Sequence, residues 1–68
     1  KSHFQEMAQE KSGITPSYGV LREWGPDHDR HFVAGVFLEE ELIAEGEGAS
    51  KQDAQRAAAK KALEAKGW

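Results

Sequence analysis

A chain of 68 residues makes one small domain that buries only about 60% of the surface its unfolded form exposes, so it has room for a sheet on one or two helices but not for a cleft enclosing a large substrate. The absence of cysteine excludes disulfides and thiolate metal sites and fits a cytoplasmic location, and no apolar run approaches the ~20 residues of a membrane span. The formal net charge of −3 argues against a polyanionic partner only if it is spread evenly, and it is not. From Gly48 to Trp68 five basic residues stand against two acidic ones, whereas Leu38 to Glu47 holds five glutamates and no basic residue. Screening limits each charge to roughly 8–10 Å, so the basic end can attract phosphate while the whole chain is acidic.

Residues 1–68 read as one domain that opens directly in helix-like sequence, the pattern expected of a piece of a longer protein. The spacing predicts a helix over Ser2 to Lys11. Phe4, Met7 and Ala8 fall at i, i+3 and i+4 as an apolar stripe, and Ser2, Gln5, Glu6 and Gln9 form a polar one. Gly13 reads as the helix stop and Pro16 forbids continuation. Beyond Pro16 the period becomes two. Tyr18 and Val20 share one face of a first strand that fades near Trp24, a residue expected in the core. Gly25-Pro26 marks a turn that Asp27 to Arg30 extends into a loop.

A second strand runs from His31 to Leu38, with Phe32, Ala34, Val36 and Leu38 on one face and Val33, Gly35 and Phe37 on the other. Glu39-Glu40 supplies a hairpin connection to a third strand, Glu41 to Gly48. There Leu42, Ala44, Gly46 and Gly48 shrink along one face, which lets another backbone come close. Ser50 is the N-cap of a final helix, with Asp53 three residues on in a capping box. The run to about Lys66 is rich in alanine, the best helix former; Ala54, Ala58, Ala62 and Ala65 follow one side. The fold class is therefore α+β, αβββα, a three-stranded antiparallel sheet with two helices on one face.

Three places carry polar chemistry. At Ser50-Lys51 a helix N-terminus with its unpaired N–H groups attracts anions, and Lys51 strengthens the field; without a following Gly-Lys-Ser/Thr signature it is no nucleotide loop. The turn at Gly25-Pro26 directs carbonyls outward beside His28, which can donate a hydrogen bond and carry a charge. His28 and His31 lie three apart, but no third ligand stands at motif spacing, so no metal site is expected. The stripe Ser2, Gln5, Glu6, Gln9 offers hydrogen-bonding groups without relying on net charge. No catalytic set emerges: the carboxylates cluster in an exposed hairpin, and no serine has a plausible His–Asp partner.

Taken in order, Lys1-Ser2…Gln5-Glu6, Pro16 and Tyr18, Gly25-Pro26-Asp27-His28 with Phe32, Gly46-Glu47-Gly48, and Ser50-Lys51…Ala54…Ala58-Ala59…Ala62-Leu63 resemble a double-stranded-RNA-binding domain across essentially the whole length. The Gln5-Glu6 pair and the full Gly-Pro-Asp-His loop are most similar to the C-terminal domain of bacterial ribonuclease III enzymes. The resemblance implies three contacts on A-form RNA: Ser2, Gln5, Glu6 and Gln9 in one minor groove, Gly25, Pro26 and His28 on 2′-hydroxyls of the next, and Ser50, Lys51, Gln52 and Gln55 on the intervening phosphates. Such domains span ~16 bp and read shape rather than sequence. Many family members carry Lys or Arg where this chain has Gln52 and Gln55, which implies weaker and less salt-sensitive binding.

The resemblance also implies a non-catalytic, cofactor-free, monomeric module. Its parent would be a homodimeric double-stranded-RNA endonuclease, needing Mg2+ in a catalytic domain that this chain lacks. An alternative is a protein-interaction module of the same fold with weak or no RNA binding, which the missing cations favour and the intact loop opposes.

Overall fold

The change of period at Pro16 separates helix from sheet. A computed structural model describes residues 3–68 as α1 (His3–Ser12), β1 (Ser17–Trp24), β2 (His31–Leu38), β3 (Glu41–Gly48) and α2 (Lys51–Lys66), the order and class the sequence predicts. Helix α1 ends on Gly13, whose positive φ of 71° lets its amide donate to the Ala8 and Gln9 carbonyls at 3.1 and 3.0 Å. The strands form one antiparallel sheet in the order β1-β2-β3.

The core lies between the sheet and the two helices. Phe4 and Ala8 of α1, Val36 and Leu38 of β2, and Ala58 and Ala62 of α2 form one buried cluster. Phe4 and Val36 are fully buried, and each such side chain contributes about 1.5–3 kcal/mol by leaving water. Helix α2 rests directly on the glycines of β3. A Cβ at Gly46 would stand 2.1 Å from the Ala58 amide nitrogen, and one at Gly48 2.6 Å from that of Ala54. The alanine row Ala54, Ala58 and Ala62 is buried as expected, whereas Ala65 in the last turn is exposed.

Ser50 caps α2, its hydroxyl accepting from the Asp53 amide at 3.1 Å. At the other end Gly67 adopts φ 73° and donates to the Glu64 carbonyl, while the Trp68 amide donates to Leu63 at 2.9 Å, a paired stop that turns the chain back on the helix. That turn lays the Trp68 ring on Phe4, with centroids 5.5 Å apart. Trp68 therefore closes the core.

Two bulges correct the simple alternation. On β1, Val20 pairs with Ala34 but Arg22 with Val33, so Leu21 is an extra residue and everything after it changes face. Trp24 consequently lies on the helix-free face at 43% exposure, stacked on His31 with centroids 5.5 Å apart and beneath Arg22, not in the core. On β3, Val36 pairs with Ala44 but Phe37 with Leu42. Leu42 thus leaves the face of Ala44, Gly46 and Gly48, and Ile43 packs on the core beside Ala44. Leu21 and Leu42 instead approach one another over Gly35, where each has a Cδ1 2.9 Å from an added Cβ. Among the described residues no helix is long and apolar enough to cross a membrane.

Candidate nucleic-acid interface

An antiparallel sheet of this order brings the β1–β2 loop and the start of α2 to the same end, because β3 runs back to that end before α2 begins. Asp27, His28, Asp29 and Arg30 of the loop share one open depression with Ser50 and Lys51. The loop is held in shape by its own chemistry. Gly25 takes φ 99°, and an added Cβ would meet the Asp29 carbonyl oxygen at 2.4 Å. The Asp29 amide donates to the Pro26 carbonyl at 2.9 Å, which engages one of the two lone pairs of that oxygen.

Arg30 pairs with Glu23 of β1, lies 3.6 Å from Asp27 and sits over the Phe32 ring of β2, so its charge is already balanced by neighbouring carboxylates. His31 faces Asp29 at 3.6 Å and Glu47 at 3.7 Å on the helix-free side of the sheet. His28 and Lys51 are exposed and have no ion pair among the described residues. The two histidines thus diverge, one toward the α2 terminus and one onto Trp24.

A second depression joins Gln52 and Gln55 to the start of α1 through His3 and Phe4. Gln5, Glu6 and Gln9 are exposed on α1, outside both depressions, and the Gln9 side-chain amide donates to the Thr15 hydroxyl at 3.0 Å. Ser2 lies outside the described residues. Sequence reasoning singled out neither Arg30, the brace of the loop, nor Arg56 and Lys60, which line the second depression. The signal for the last two was present: with Gln52 they repeat at i, i+4 and i+8.

The family model for the double-stranded RNA binding motif matches residues 1–66. Proteins named Ribonuclease 3 are similar over nearly the whole chain. The one from Syntrophobacter fumaroxidans is 50% identical over 94% of the chain, that from Bdellovibrio bacteriovorus 48% over 97%, and that from Syntrophomonas wolfei 45% over 94%. The chain spans only 26%, 28% and 28% of those relatives, about a quarter of each. A match of this extent places the chain in the double-stranded-RNA-binding domain family.

Proposed function

We propose that the domain holds duplex RNA by its A-form shape, as the substrate-gripping part of a ribonuclease III whose cleavage chemistry belongs to another domain and its Mg2+. The observation that carries this reading is the placement of loop residues Asp27 to Arg30 and the Ser50-Lys51 helix terminus around one depression. Loop groups there stand ready for 2′-hydroxyls, while the unpaired N–H groups and Lys51 suit a phosphate. Gln5, Glu6 and Gln9 supply the polar helix face for a second minor groove. The loop and helix-terminus contacts go to 2′-hydroxyls and phosphates, which carry no sequence information, so sequence preference is slight.

The test is binding of a ~20-bp RNA duplex, long enough for the ~16-bp span of such domains, against a DNA duplex of the same sequence in one low-salt buffer. RNA is expected to bind more tightly, because only RNA offers 2′-hydroxyls. Equal affinities would exclude the shape-reading mechanism. No binding to either would favour the alternative of a protein-interaction module, for which the exposed Leu21, Trp24 and Leu42 of the helix-free face are the candidate surface.

A further inference from the structure

The absence of cations at Gln52 and Gln55 leaves Lys51 as the one basic residue in the first turn of α2. The next basic residues along the helix are Arg56 and Lys60. They repeat at i and i+4 with Gln52 before them, one row on a helix surface, about 6 Å apart along the axis at ~1.5 Å per residue. Both are exposed, and among the described residues neither has a carboxylate partner. Both line the depression between α2 and the start of α1, together with His3, Phe4 and Tyr18, and none of the residues lining it is acidic. The depression beside the loop differs in this respect. It contains Asp27 and Asp29, and its arginine is already paired with Glu23. The more positive of the two surfaces is therefore the one between the helices. At about 460 Å3 it is within the usual size of a ligand site, but it is shallow and open, as suits a passing strand.

We infer that Arg56 and Lys60 form a phosphate-binding track between α1 and α2 for the sugar–phosphate strand that separates the two RNA grooves. The inference rests on the duplex-binding reading above. If α1 occupies a minor groove and the α2 terminus faces the adjoining major groove, the strand dividing those grooves passes between the helices. The two cations stand where that strand crosses. They supply the counterion release that Gln52 and Gln55 do not, one turn further along the same helix.

The experiment is a salt series of affinities for a ~20-bp RNA duplex, using the whole chain and the variants Arg56→Gln, Lys60→Gln, Arg56→Lys and Lys61→Gln. Lys61 is an exposed α2 cation that lines neither depression, so it controls for net charge. Each cation withdrawn from a phosphate should flatten the plot of log affinity against log salt by about 0.7–0.9. Arg56→Gln and Lys60→Gln are expected to show that change together with weaker low-salt binding, while Arg56→Lys and Lys61→Gln keep the parent slope. Thermal melts of all four should match the parent, since every substituted side chain is exposed. Parent-like slopes for Arg56→Gln and Lys60→Gln, or an equal flattening in Lys61→Gln, would overturn the track while leaving duplex binding intact. Failure of the parent itself to bind would remove both readings at once.

Discussion

A methyl group added at Gly46 would stand 2.1 Å from the Ala58 nitrogen and 2.5 Å from the Ala57 carbonyl carbon. These are backbone atoms of α2, so no side chain can turn aside to make room. Gly19 is the internal contrast: an added Cβ there meets only Phe37 Cε1 at 3.9 Å, an ordinary contact, and the backbone φ is not positive. Gly46→Ala should therefore lift the helix off the sheet and cost at least the ~1–3 kcal/mol typical of overpacking. At about 4–8 °C per kcal/mol in a domain of this size, the melting temperature falls measurably. Gly19→Ala should be neutral or slightly stabilising, by at most about 1 kcal/mol, through a less flexible unfolded chain. Equal thermal shifts for the two variants would contradict the close approach of α2 to β3. This approach was legible in the sequence because small residues on one element were matched by an alanine row on the next, so each explained the other.

Element boundaries were legible for a similar reason: each is set by local chemistry. Gly13 ends α1 and Gly67 ends α2 through bonds within a few residues, Ser50 starts α2 in the same way, and Pro16 lacks the amide that a longer α1 would need. The strand faces were not fully legible, because a bulge leaves no mark in a period-two pattern. Leu21 and Ile43 each fit the alternation on either side, and only the pairing with β2 shows which residue is extra. The two tryptophans make the consequence measurable. Trp68 joins the core through its stack on Phe4, and an aromatic pair alone contributes about 0.5–1.5 kcal/mol beyond its buried area. Trp24 touches His31 and Arg22 on an open face. Trp68→Ala should thus destabilise the domain by more than about 1 kcal/mol, and Trp24→Ala by clearly less, as read from denaturant midpoints. A larger effect for Trp24→Ala would place it back in the core and refute the β1 bulge.

Over the whole molecule the three glutamates of the β2–β3 turn stand a sheet's length from Lys51, although Asp27, Asp29 and Glu47 share the Lys51 end. The β1–β2 loop and the α2 terminus occupy one end, and the Glu39-Glu40 turn, followed by Glu41, occupies the other. The strands between them have eight residues each, about 27 Å at ~3.4 Å per residue. That separation is roughly three Debye lengths at physiological ionic strength, where the screening length is about 8 Å. Lys51 is therefore screened from the turn glutamates, and net charge alone does not decide whether phosphate binds there; Arg56 and Lys60, further along α2, stand between the two ends.

The same distance sets a quantitative expectation. Replacing Glu39, Glu40 and Glu41 together by glutamine removes three carboxylates and brings the formal charge from −3 to zero. If net charge governed binding, the variant would bind RNA clearly more tightly even near 0.15 M salt. If local charge governs it, the affinity should change by less than about twofold near 0.15 M salt. It should improve clearly only near 0.01 M, where the screening length of about 30 Å spans the sheet. The two cases differ at physiological salt: a clear gap between variant and parent there would mean that the distant carboxylates act on the site, whereas curves that meet there and part only on dilution would mean that the charges near the helix end decide.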